Sequence, residues 1–138
     1  NYTNEPMAFL LEDSEIQEEI EPYIMARIVD FEEFIRQYPF DIISIHDDLH
    51  FIIDDPIMEC NCADFSLRWD AAGNTILERG GTRGETVRCD IQTLTAMFYG
   101  YKRPTYLKRV ERLQANDTAV RILEDIIPIE QPYFSDYF

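Results

Sequence analysis

Residues 64–91, DFSLRWDAAGNTILERGGTRGETVRCDI, decide how the chain folds. The stretch is rich in β-forming residues broken by turn chemistry, so strands are expected at residues 64–69, 75–79 and 86–91. Ala71-Ala72-Gly73-Asn74 reads as a hairpin turn, and Gly80-Gly81-Thr82-Arg83-Gly84 as a wider hairpin loop joining the last two strands, with glycines at positive φ. Just upstream, residues 42–45 and 49–53 read as two further strands, the second ended by Asp54-Asp55-Pro56. Consecutive short strands with tight turns predict an antiparallel meander.

Beyond Ile91 the apolar period lengthens from two to about 3.6, with Leu94, Met97 and Phe98 on one helical face before Gly100 ends the helix. Pro104 sits where a first helical turn tolerates it, and Leu107, Val110 and Leu113 form an apolar stripe. Asn116 or Asp117 then caps a helix carrying Ala119, Ile122, Leu123 and Ile126, closed by Pro128. On the other side, YIMARIV at residues 23–29 reads as a strand. Asp30 follows as an N-cap with Glu33 as its capping-box partner, and Phe31, Phe34, Ile35 and Tyr38 recur at helical spacing until Pro39 stops the helix. The apolar run PMAFLL at residues 6–11 reads as a strand, and the acidic residues 12–21 as a solvated connector.

The 138 residues suit one domain with one core. Hydrophobic residues make up 46% and charged residues 28%, the balance of a folded chain. A net charge of -15, from 27 acidic against 12 basic residues, repels nucleic acid and anionic membrane surfaces and favours cations. Three cysteines, Cys60, Cys62 and Cys89, without a framework spacing suit a reducing compartment, and with no apolar run of membrane-spanning length the expected location is cytoplasmic. A start at Asn1 rather than Met reads as a fragment of a longer protein.

Local motifs supply no complete reaction centre. The C-x-C pair of Cys60 and Cys62 with Cys89 lacks an evident fourth zinc ligand, and His46 and His50 flank a turn rather than sharing a helical face. The glycines of residues 79–84 are placed between strands, whereas a phosphate cradle leads from a strand into a helix. Thr82 also occupies a position where the acetyl-CoA fingerprint of GNAT enzymes needs Gly. Asp47-Asp48 and Asp54-Asp55 read as solvated turns. Tyr133, Phe134, Tyr137 and Phe138 crowd the end of the chain, and rings so dense require cover. Two accounts supply it: the tail docks on its own domain, or it enters a neighbouring active site and carries the α-carboxylate of Phe138 there.

Taken in order, EPYIMARIVDFEEFIRQYPF, IQTLTAMFYGYKRP with the helices after it, and PYFSDYF resemble the C-terminal domain of the enhanced-intracellular-survival type of GNAT N-acetyltransferase. The resemblance covers residues 21–138, with residues 1–20 as a connector or the end of a preceding domain. It implies an α+β fold of the sterol-carrier-protein type, an antiparallel sheet of about five strands with helices packed on one side. ECNCADF differs from the Trp-Asn-x-Gly pattern this family carries after its second strand. The resemblance further implies a longer chain whose N-terminal GNAT domain binds acetyl-CoA, so that these residues hold no cofactor and are inactive alone. In such enzymes acetyl passes to a primary amine, aminoglycoside-like or lysine-like, and the C-terminal carboxylate acts as general base. Phe138 is the matching catalytic position, with Asp136 and Tyr137 as substrate-binding residues. The implied partners are the N-terminal GNAT domains, a cationic amine and further copies in a homo-oligomer. The rival reading is a lipid or sterol tunnel lined by Phe31, Phe34, Met97 and Phe98, or a purely structural assembly module.

Overall fold

A computed structural model describes residues 25–44 and 46–130. Its elements run α1 (Phe31–Gln37), β1 (Leu49–Asp54), β2 (Asp64–Trp69), β3 (Thr75–Arg79), β4 (Glu85–Asp90), α2 (Ile91–Phe98), α3 (Pro104–Arg109), β5 (Gln114–Ala115) and α4 (Asp117–Ile126). The fold is α+β, with five strands and the helices on one side of the sheet.

The strand order β3-β2-β1-β4-β5 corrects the expected meander. β1 pairs antiparallel with β2 but parallel with β4, from Leu49 opposite Glu85 to Asp54 opposite Asp90, so the sheet is mixed. β3 and β4 are consecutive in the chain yet lie on opposite sides of the β1–β2 pair, and their link is a crossing rather than a hairpin. Residues 80–84 run over the outer face of the sheet at Ser66, whose hydroxyl accepts from Arg83 N–H at 2.8 Å and donates to Arg83 C=O at 3.0 Å. Ser66 is consequently only 2% exposed. Gly84 at φ +105 passes so close to β1 that a Cβ there would lie 2.1 Å from the Asp48 carbonyl oxygen, so only glycine fits.

Leu49, Phe51, Phe65, Leu67 and Val87 alternate onto the inner face and are wholly buried. Helix α1 begins where the sequence places it: Asp30 Oδ1 accepts from Glu33 N–H at 3.1 Å, and the helix brings Phe31 onto Phe65 and Phe51 at ring separations of 5.0 and 5.6 Å. Helices α2 and α4 close the core with Leu94, Met97, Ala119, Leu123 and Ile126, each wholly buried. Asn116 rather than Asp117 is the cap of α4. Val110, expected in the α3 stripe, is 42% exposed, because α3 ends at Arg109 and the chain turns at Glu111 with φ +63.

Among the described residues two expected strands do not form, and the strand expected at residues 6–11 lies outside them, as do residues 23 and 24. Residues 25–29 join no ladder; their backbone is held by side chains instead. Ile28 N–H donates to Thr95 Oγ1, Val29 C=O accepts from Asn61 Nδ2, and Phe31 N–H donates to Asn61 Oδ1. Only Ile28 of that apolar run is buried, while Met25 is 98% exposed. Residues 42–44 are irregular with Ile43 exposed, and residue 45 of that expected strand lies outside the described residues. The two-residue β5 shows no readable period.

Candidate functional site

Arg103 ties the start of α3 to the end of α4 and the residues just after it. Arg103 precedes Pro104, a placement that keeps its backbone extended, at φ -74 and ψ 150, and turns its side chain toward α4. The guanidinium makes four hydrogen bonds there. Nε donates to Glu124 Oε2 at 2.9 Å, Nη2 to Glu124 C=O at 2.8 Å, and Nη1 to the carbonyls of Ile127 and Pro128 at 3.1 and 3.2 Å. The planar fork suits several acceptors at once. Glu124 also accepts from the N–H and hydroxyl of Thr105, at 2.9 and 2.8 Å. Partial burial opposes ionisation of Glu124, but the Thr105 bonds and Arg103 outweigh it and hold the carboxyl below its usual range.

Two further contacts complete the anchor. The Ile126 carbonyl accepts from Asp41 N–H at 2.9 Å. Gly100, at φ +74, lies against Glu130, and a Cβ at that position would stand 1.9 Å from the Glu130 carbonyl oxygen. Tyr38 closes the same corner, its hydroxyl donating to Phe98 C=O at 2.7 Å. Burial pushes that phenol up to about 12, with Arg103 opposing the rise and Glu130 adding to it. The backbone is thus held from Ile126 to Glu130. The expected catalytic residue Phe138 and the expected substrate contacts Asp136 and Tyr137 lie outside the described residues.

The other candidates resolve into structural roles or remain apart. Cys62 Sγ accepts from Asp55 N–H and donates to Asp55 C=O, Cys60 is exposed, and Cys89 is buried in the core. Among the described residues no cluster of His, Cys, Asp and Glu could hold a metal ion. His50 lies on β1 with Nε2 3.2 Å from Asp64 Oδ2, off the line of a hydrogen bond, while His46 packs edge-on to Trp69. Arg79 reaches Glu32 and covers the Phe65 ring, so the two arginines of residues 79–84 do not converge. Asp47 and Asp48 line a shallow hollow of about 480 Å³ with Arg83 and Glu85.

Asp55, expected in a solvated turn, is instead 3% exposed. Burial raises its pKa, but hydrogen bonds from Asn61, the N–H groups of Met58 and Ile57, and Arg27 overcome that and hold the carboxyl well below the usual carboxylate range. The rings named for an apolar tunnel pack on one another: Phe31 and Phe34 stand 6.5 and 5.9 Å from Phe98, and Met97 is wholly buried. No described helix is long and apolar enough to cross a membrane.

The family described as sterol carrier protein domain matches residues 31–135. The chain belongs to that family. Several solved chains that it matches are longer than it. A conserved protein of unknown function from Enterococcus faecalis V583, described as a probable N-acyltransferase, is 28% identical with a TM-score of 0.85, covering 99% of this chain and 34% of that one. A GCN5-related N-acetyltransferase from Anabaena variabilis ATCC 29413 is 26% identical with a TM-score of 0.66, covering 77% of this chain and 26% of that one. Eis1 from Mycobacterium abscessus, at 18% identity and a TM-score of 0.62, covers 79% of this chain and 26% of that one, and shares the fold. This sterol carrier domain therefore spans about a third or less of each. No curated protein matches it.

The sequence marks Gly100 as a helix end but not as a contact of Glu130, and it does not single out Arg103 at all. Arg-Pro in KRP marks an extended residue at a helix start, but its acceptors lie within and just after α4, and one sequence gives no signal that joins them.

Proposed function

We propose that this domain is the C-terminal part of an acetyl-CoA-dependent amine N-acetyltransferase of the enhanced-intracellular-survival type, and that the α-carboxylate of Phe138 is its general base. The observation that carries the reading is the likeness, over 99% of the chain at 28% identity, to a protein described as a probable N-acyltransferase. The hold on residues 126–130 adds to it, because a tail that must deliver one group to one place needs a fixed point of departure.

Acetyl-CoA and the general-acid tyrosine belong to an upstream GNAT domain. The amine arrives as an ammonium ion and must lose a proton before its lone pair can attack the thioester carbonyl. The Phe138 carboxylate takes that proton, the C–N bond forms, and the C–S bond breaks with CoA leaving as its thiol once protonated. An α-carboxylate in water, with a pKa of about 3.3–3.7, is a weak base. Desolvation beside Tyr133 and Tyr137 raises it toward the working range. The carboxylate of Asp136 attracts a cationic acceptor, aminoglycoside-like or lysine-like, and Tyr137 lines its pocket.

The test adds one alanine after Phe138 in the full-length protein. Turnover is expected to fall by about 10²-fold or more, the usual worth of a positioned acid or base, with the thermal midpoint unchanged. Undiminished turnover would remove the terminal carboxylate from the reaction.

A further inference from the structure

We propose that the face formed by the α2–α3 link and α3 is a docking surface for an acidic peptide segment of a partner protein. At its centre is a stack of cations and rings. Lys102 Nζ stands 5.0 Å from the ring centres of both Tyr101 and Tyr106, and the guanidinium carbon of Arg109 lies 5.4 Å from the Tyr106 ring. The two rings remain 60% and 38% exposed, and Val110 next to Arg109 is exposed as well. The fold does not depend on this stack. Nearby cations join separate elements: Arg103 pairs with Glu124 on α4, Lys108 with Asp117 at the start of α4, and Arg112 with Asp90 at the end of β4. Lys102 and Arg109 make no ion pair among the described residues, and each ring they cover is a near neighbour on the same stretch of chain. Exposed cation–ring contacts between such neighbours tie no elements together and stabilise little, while they leave two tyrosines and a valine in water.

Local charge selects the partner. Residues 99–112 hold five of the chain's 12 basic residues and one of its 27 acidic ones, which leaves 26 acidic against 7 basic elsewhere. At an ionic strength of about 0.1 M a charge is screened within about 10 Å, so a group that touches Lys102 and Arg109 meets a positive surface on a molecule that is negative as a whole. A phosphate polymer or an anionic bilayer extends past this island and meets the acidic surroundings, which repel it. A short run of carboxylates stays within it. Tyrosine and arginine are also the residues that most often anchor protein interfaces, the ring because it buries a large area at little entropic cost and the guanidinium because its fork matches a carboxylate.

The experiment follows the fluorescence anisotropy of fluorescein-labelled octaglutamate as the full-length protein is added. Binding is expected at about 50 mM salt and should weaken by about tenfold or more at about 300 mM salt. Lys102→Glu and Arg109→Glu should each weaken it by about tenfold or more, and Tyr106→Ala, which alters no charge, by about fivefold. Arg88→Glu makes the same change of charge at an exposed position of β4 and should leave binding within about twofold of the parent. Circular dichroism is expected to match the parent for all four variants, because none of these side chains is buried. Equal losses for Arg88→Glu and Arg109→Glu would overturn the proposal, since net charge rather than this face would then govern binding. Anisotropy that stays flat up to about 1 mM protein would also overturn it. Oligothymidylate and phosphatidylserine vesicles are titrated in parallel, and tighter binding of either than of octaglutamate would assign the face to another class of partner and overturn it too.

Discussion

Replacing Asn61 by alanine should unfold this domain far more readily than its place in a short surface turn suggests. Asn61 is 1% exposed, and its side chain accepts from Phe31 N–H at 2.9 Å and donates to Val29 C=O at 2.9 Å and Asp55 Oδ2 at 2.8 Å, with a longer contact from Cys60 Sγ at 3.9 Å. Val29 is 57% exposed, so water can replace that bond. Phe31 is wholly buried, and its N–H would be left without an acceptor, a loss of about 1–3 kcal/mol. The Asp55 carboxylate would lose one charge-assisted donor, about 1.5–3 kcal/mol. Together the change should destabilise by about 3–5 kcal/mol, lowering the midpoint of a domain this size by about 10 °C or more. Urea and thermal unfolding followed by circular dichroism measure it.

The pH dependence gives the effect a signature. Asp55 has its folded pKa lowered, so its stabilisation is present above the unfolded value near 3.8 and is lost as pH falls through the folded value. Asn61→Ala moves the folded pKa back up while the unfolded value is shared, so the gap between variant and parent should be constant above both folded values and narrow as pH falls from the variant's folded value toward the parent's. Asn61→Asp, which sets a second carboxylate against Asp55, should fall at least as far. A loss below about 1 kcal/mol at pH 7 would refute the reasoning.

Glycine positions separate crowding from strain. Gly84→Ala should cost several kcal/mol in urea titrations because its Cβ would overlap the Asp48 carbonyl, whereas Gly73→Ala, at φ +83 with nothing within 4 Å, should cost only about 1–2 kcal/mol of left-handed strain. Burial, with Asp90 adding to it, pushes the Cys89 thiol up to about 12, so iodoacetamide at pH 8 should label exposed Cys60 and leave Cys89 unmodified until the protein unfolds, as read by peptide mass mapping.

What the sequence states clearly is what neighbouring residues decide. The α1 boundary follows from Asp30, Glu33 and Pro39, and the bounds of β2 and β3 from the turn at residues 70–74, where Asp70 Oδ1 accepts from Ala72 and Asn74 N–H. The partner of each strand is decided elsewhere. β1 accepts β4 because glycines at 81 and 84 let the crossing loop lie on Ser66 and Asp48, a fit set by missing Cβ atoms rather than by any period. Residues 25–29 look like a strand because they are apolar and β-branched, but their hydrogen bonds end on Asn61 and Thr95, which lie 32 and 67 residues away from Val29 and Ile28 respectively. The site divides the same way. Tail aromatics are legible in composition, while the Arg103 anchor joins groups more than 20 residues apart and has no local mark.

The parallel pairing of β1 with β4 has a consequence for how this polypeptide is made. β1, β2 and β3 can zip up as they leave the ribosome, but β1 is then a border strand, its Leu49–Asp54 amides and carbonyls open on one flank until Glu85–Asp90 arrives. Synthesis therefore passes through a three-stranded stage with a sticky margin, and closing it requires the five-residue overpass to settle before α2 can seat. Sequence changes that slow that overpass lengthen the interval in which nascent chains can pair with one another.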